Sequence, residues 1–166
     1  RISEKSGYVG TVTQHNCVIS AYGRTWSANN NTNKSLVQFS DLLSGHVLST
    51  GTAGTLDVSQ VWPAGGDEII ALAAHNNFLI IFGRRQILIY ATANNPNELT
   101  LSDAITGTGC FARDSVVVTG GDVLFLSDAG VRSLMRTIQE KSAPMRDISA
   151  NVRDDLVFEI ALEDPK

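Results

Sequence analysis

The stretch GCFARDSVVVTGGDVLFLSDAGVRSL, residues 109–134, decides how the chain is read. Two apolar runs, 115–119 and 123–127, flank Gly120-Gly121-Asp122, and a third, 131–134, follows Asp128-Ala129-Gly130. Short apolar runs separated by residues that tolerate positive φ read as strand, turn, strand, turn, strand. The same cadence occurs in EIIALAAHNNFLIIFGRRQILIY, residues 68–90. There the strands are 68–74, 78–82 and 86–90, with turns at His75-Asn76-Asn77 and Gly83-Arg84-Arg85. A looser version opens the chain: CVISAY (17–22), RTWSA (24–28), an Asn-rich tip from Asn29 to Lys34, and SLVQFS (35–40).

The middle strands of the units, 24–28, 78–82 and 123–127, overlay at offsets of 54 and 45 residues. A period of ~40–50 residues with about four strands per unit is the mark of propeller blades. A plain β-sandwich also builds meanders. The blade reading is preferred, and predicts an all-β chain: antiparallel meanders over 1–140 forming about three blades of a partial β-propeller. Residues 41–66, rich in Gly, Ser and Thr, read as irregular with short strands, and 93–109 as a long connection. The last part, 141–166, is expected to hold one amphipathic helix over roughly 144–156 and a tail. Ser142 would cap it and Pro144 would sit in its first turn. Met145, Ile148, Val152 and either Asp155 or Leu156 would form its stripe. Known propeller rings have ~4–8 blades, so this chain reads as an arc. Residue 1 is Arg and not Met, which fits a processed product or an excerpt of a longer chain.

At 166 residues, with 43% hydrophobic and 18% charged residues, the composition is globular. No apolar run approaches the ~20 residues of a membrane helix, and no signal-peptide pattern is present. A net charge of −4 argues against a dedicated nucleic-acid binder, though an acidic surface lets DNA pass without sticking. Cys17 and Cys110 both lie beside apolar strands and read as buried free thiols; their spacing fits no zinc pattern.

Motifs that carry chemistry are few. Gly107-Thr108-Gly109-Cys110-Phe111-Ala112 imitates a dinucleotide fingerprint, but a strand follows where a helix is needed. It reads as a tight lead-in to a strand. His15, His46 and His75 are scattered, and His75 reads as a solvated turn residue. Asp67, Glu68, Asp103, Asp114, Asp122 and Asp128 offer no pair that stands out for acid–base work. The expectation is therefore no catalytic, cofactor or metal residue, and no enzyme. Asn30 and Asn33 begin glycosylation sequons but read as a polar hairpin tip. Arg84-Arg85 reads as an exposed turn, or as a contact for an acidic neighbour or phosphate. Arg113-Asp114 reads as a local ion pair, and Asp41 and Asp128 as turn-formers bonding back to turn amides. Trp26, Trp62 and Tyr90 are expected in the core or an interface.

Several of these stretches, taken in order, resemble the tail nozzle proteins of short-tailed bacteriophages, also called tail tubular protein B or packaged-DNA stabilisation protein. The resemblance spans roughly residues 15–155. Tyr22-Gly23-Arg24 with Trp26 resembles a hairpin of that family, and Ser40-Asp41 a Ser-Asp after its next strand. Asp67 to Ile70 are similar to the lead-in of its central blade. Gly109-Cys110 with Ala112-Arg113-Asp114-Ser115 is similar to the lead-in of the following blade, and Asp128 with Gly130 to that blade's turn. These are blade-building positions and carry no catalytic signature. The resemblance implies a structural virion subunit of the phage tail, assembled in the bacterial host cytoplasm. It would form a homo-hexameric ring that meets an adaptor protein above and fibre or tip proteins below. Double-stranded DNA would be retained by the ring and pass through it on ejection, without membrane insertion by this segment. Members of that family are several times longer than this chain. A carbohydrate-binding or carbohydrate-active propeller is the alternative.

Overall fold

The computed structural model describes residues 14–142. Strands β1 (His15–Ala21) and β2 (Arg24–Asn30) are joined by Tyr22 and Gly23, at φ 52° and 70°. Two successive positive φ values make a turn whose twist matches that of the strands it joins. β2 then pairs with β3 (Leu36–Phe39), and β3 with β4 (Gly54–Asp57). Between them the Asn30 side chain accepts from the Thr32 and Asn33 amides. This confirms the polar tip but places Asn29 and Asn30 inside the strand.

The second unit repeats the first. β5 (Ile69–His75) and β6 (Phe78–Gly83) meet at Asn76-Asn77, with φ of 47° and 64°. β7 (Gln86–Ala91) follows, and then β8 (Thr100–Thr106). The sequence reading of 93–109 as a connection is corrected here. β8 is an edge strand whose residues are mostly exposed, so it lacks the apolar run by which its neighbours were found. His75 is also corrected: it ends β5, half-buried, with Nε2 enclosed.

The third unit holds β9 (Val117–Val118), β10 (Val123–Ser127) and β11 (Gly130–Ser133). Its first strand is shorter than the run 115–119, because residues Arg113–Ser115 form a 3-10 turn before it. Every sheet is antiparallel and pairs strands in chain order: β1-β2-β3-β4, β5-β6-β7-β8 and β9-β10-β11.

The middle sheet explains the stacking. In FLIIFG, Leu79 and Ile81 face one way and join Trp26, Val37 and Phe39 of the first sheet. Ile80 and Phe82 face the other way and join Val123 and Phe125 of the third. β7 does the same, Leu88 and Tyr90 to one side, Ile87 and Ile89 to the other. A strand buried on both faces has no polar alternation, which is why 78–82 and 86–90 are unbroken apolar runs. The result is three layers, not the two of a sandwich. β5 lies beside β1 and beside β9, so the first strands of the three sheets are neighbours.

One helix, α1 (Leu134–Ser142), closes the described chain. It takes Leu134, the last residue of the expected third strand run. Ser133 caps it, its Oγ accepting from the Arg136 amide at 3.1 Å. Asp122 adds a second cap from the β9–β10 turn, accepting from Met135 N at 3.0 Å and from the Ser133 hydroxyl. Leu134 and Ile138 pack on the second cluster, and Lys141 reaches Asp103 and the Ala104 carbonyl of β8. The helix expected at 144–156 lies outside the described residues.

Burial pushes the Asp122 carboxyl up, but hydrogen bonds from Ser133, Met135 and Val123 outweigh it and hold it below the ordinary aspartate value. A carboxyl depressed in the folded state stabilises fully above its unfolded value, about 3.9, and progressively less as pH falls through its folded value. The melting temperature is therefore expected to drop on going from pH 6 to pH 3, and to drop less in Asp122→Asn. Equal acid sensitivity of both proteins in thermal melts would remove Asp122 from that role.

Candidate functional site

The marks of the first sheet converge. Arg24 is 4% exposed, and its Nη1 donates to the carbonyls of Ser40 (2.7 Å) and Thr52 (3.2 Å). Ser40 Oγ accepts from the Thr25 amide and donates to the Asp41 carbonyl. Asp41 accepts from the Thr52 hydroxyl at 2.6 Å and amide at 2.8 Å. Those two bonds, the hydroxyl foremost, lower its carboxyl below the usual range. Trp26 lies 5.2 Å from Phe39, ring to ring, and donates Nε1–H to Ala21. The Gly23 carbonyl accepts from Leu43 N. Gly23, Arg24, Ser40 and Asp41 thus pin the 41–53 loop to its sheet, while Trp26 packs within the sheet and the Tyr22 hydroxyl donates to Phe78 O of β6. They have a packing role here. Arg24→Met should cost about 2–3 kcal/mol, because two carbonyls lose a charged donor. Urea unfolding and proteolysis within 41–53 would check this; a wild-type midpoint would refute it.

The second set of marks builds the lead-in to the third sheet. The Cys110 amide donates to Gly83 O at 2.9 Å, and Phe111 N donates to Leu126 O at 2.8 Å. Gly109 lies against the Arg84–Arg85 peptide, where an added Cβ would stand 2.4 Å from the Arg84 carbonyl carbon. That turn is itself capped by Asp67, whose carboxylate accepts from the Arg84 and Arg85 amides. Arg84 is no free turn arginine: its guanidinium pairs with Glu68 at 3.0 Å, which Lys34 also reaches at 2.9 Å. Asp128 and Gly130 lie in the β10–β11 turn, but Ser127 carries its bonds, donating to Gly130 O and accepting from Ala129 N. The turn-forming role expected of Asp128 belongs to Ser127, whose shorter hydroxyl points back along the turn.

Arg113 and Asp114 occupy a different place. They pair at 2.8 Å, and Arg113 Nη1 also donates to Asn16 O of β1. This joins the third unit to the first across the edge of the second. An open groove of about 530 Å³ runs here, lined by Asn16, Cys17 and Ile19 of β1, Leu72 of β5, and Arg113 and Val116 before β9. A second hollow of about 330 Å³ continues from it past Asn29, Lys34, Glu68, Arg84 and Phe111. The groove is thus the side of the molecule where the first strands lie together. Sequence reasoning named several of its residues but could not place them on one side, since 97 positions separate Asn16 and Arg113.

Its charges are mutually satisfied. Hydrogen bonds from Lys34 and Arg84 hold Glu68 below its ordinary value, and Arg113 does the same for Asp114. Neither acid is poised to donate a proton at neutral pH, as a glycosidase acid must be. Among the described residues no cluster of His, Cys, Asp and Glu has metal-binding form.

Both cysteines are buried and free. Burial pushes the Cys17 thiol up to about 11, against the lowering effects of its bond to Ala28 O and of Arg113. The thiolate is the reactive form. Alkylation at pH 8 should therefore leave Cys17 unmodified in the folded protein and go to completion in urea; rapid native labelling would contradict the burial.

No family model matches the chain, and no curated protein matches it. Among solved structures, the crystal structure of the computationally designed Ika4 protein aligns with 76% of this chain and 93% of its own, at 12% identity and a TM-score of 0.35. A likeness of that size carries no argument about fold or function.

Proposed function

We propose that this chain is a structural virion subunit of a short-tailed phage tail nozzle, part of a ring-shaped conduit that retains and then releases packaged DNA. One observation carries the reading: three antiparallel meanders stack face to face with their first strands side by side. That is how propeller blades are arranged around a central channel. In such a ring the first strands, and the groove along them, face the axis. The subunit's ion pairs suit a part past which DNA slides, because arginines already paired with carboxylates displace few counterions from a phosphate backbone. The chain's net charge of −4 acts the same way.

The rival reading, a carbohydrate-active or carbohydrate-binding propeller, needs an acid kept protonated or an exposed aromatic platform. Glu68 and Asp114 are held ionised, and Trp26, Trp62 and Tyr90 are buried; Phe111, exposed at the second hollow, is a single ring and not a platform. Electron microscopy of the purified protein and of virions labelled with antibodies against it separates the two. Rings, and label at the tail tip, are expected. Glycan-array binding or sugar release by the purified protein, with unlabelled virions, would overturn the proposal.

A further inference from the structure

The middle sheet ends on a contact that none of its strands makes. β8 closes that sheet, pairing with β7 alone. At seven residues it is the longest of the three closing strands, since β4 and β11 have four each. Alternate residues of an edge strand turn both backbone groups away from the sheet, ready to pair with an added strand. Ala104 is such a residue, and both of its groups are taken. Its N–H donates to the Asp103 carboxylate at 2.8 Å, and its carbonyl accepts from Lys141 Nζ of α1 at 2.7 Å. The same ammonium pairs with the Asp103 carboxylate. An acid and a base thus stand where the carbonyl and the N–H of a neighbouring strand would stand.

We infer that Asp103 and Lys141 form a plug on the edge of the middle sheet, and that without it β8 pairs antiparallel with β8 of a second copy, Ala104 opposite Ala104. The register suits self-pairing. Two small side chains meet at its centre, each Asp103 faces an Ile105, and no two carboxylates oppose each other. Ser102 is an extra residue between the pairs that Asp103 and Leu101 make with β7, and such a bulge ends the regular edge there. The added ladder is therefore short, and two occupied groups at its centre suffice to block it. Caps at its start, and Leu134 and Ile138 in the second cluster, hold α1 to the third sheet. Lys141 reaches across to the second sheet from the other end of the helix. The inference does not depend on the nozzle reading.

The test compares the whole chain with the double variant Asp103→Thr, Lys141→Ala, which frees Ala104 and leaves the net charge at −4. Each protein carries a nitroxide at the exposed Thr106, attached through Thr106→Cys, while Cys17 and Cys110 are buried. In the inferred register the two Thr106 positions lie four residues apart along paired strands, ~14 Å from each other. Dipolar broadening of the EPR spectrum should appear in the variant at concentrations at least about tenfold below those the wild type needs, as expected when one or two hydrogen-bonding groups per copy are freed. Sedimentation should show the associating mass doubling over the same range. Should the double variant unfold, Lys141→Ala alone, which keeps the Asp103 bond, carries the same comparison. Arg136→Met breaks an ion pair with Glu140 on the same helix and should behave as wild type. Four results would each overturn the inference: equal broadening in wild type and variant, none in the variant up to about 1 mM, a mass increase without broadening, or broadening brought on by Arg136→Met.

Discussion

Gly109→Ala is expected to lower stability by about 3 kcal/mol or more, through an overpacked contact that has no soft side. The added Cβ would meet the Arg84 carbonyl carbon and oxygen at 2.4 Å and the Arg85 nitrogen at 2.5 Å, all of them backbone. A side chain could rotate away; a peptide capped by Asp67 cannot move without breaking its own bonds. For a domain of this size the loss corresponds to roughly 10 °C in melting temperature. Gly120→Ala serves as the control, because an added Cβ there meets nothing within 4 Å. It should stay within about 0.5 kcal/mol of wild type. Urea midpoints of the two variants measure the difference; similar values would mean that the lead-in to the third sheet is not held against the Arg84–Arg85 turn.

Phe125→Ala is the second large effect. Phe125 is fully buried, and its ring lies 5.0 Å from that of Phe82 at an interplanar angle of 49°. Truncating a buried Phe costs about 3–5 kcal/mol from lost transfer energy and the cavity left behind. The site adds a spatial signature. Phe125 belongs to the cluster between the second and third sheets, whereas Trp26 and Val37 belong to the cluster between the first and second. Hydrogen exchange should accelerate first in β9–β11 and α1, with β1–β4 retaining its protection. Uniform loss of protection at the same denaturant level would show one cooperative core in place of two clusters.

Much of the fold was legible from local signals. The turn at Asn76-Asn77 requires positive φ, and residue type announces that directly, as it does at Gly23; Tyr22, read as the end of a strand, takes φ 52° against its type. The runs 78–82 and 86–90 were legible as strands, and their lack of alternation matches the burial of both faces found in the structure. The fourth strand of the middle sheet was not legible. β8 takes its order from pairing with β7, and an edge strand needs little apolar content to do so. The helix α1 was missed for a related reason. Its cap is shared between Ser133, which fell within an expected strand run, and Asp122 of the β9–β10 turn, which only folding brings to the helix start.

The site divides the same way. From the sequence, Asp41 reads as a turn-former, Gly109 as part of a strand lead-in and Arg113-Asp114 as a local ion pair, and Arg24 enters through the family resemblance. Whether each holds a loop, admits a close backbone approach or lines a groove depends on its long-range contacts: Arg24 with Thr52, Gly109 with Arg84, Arg113 with Asn16. Local residue preferences therefore set the strands and their turns, because φ and hydrophobic period act over a few residues. The tertiary structure decided the stacking order, the fourth strand, the helix and the groove, because each arises from groups brought together only when apolar faces leave water.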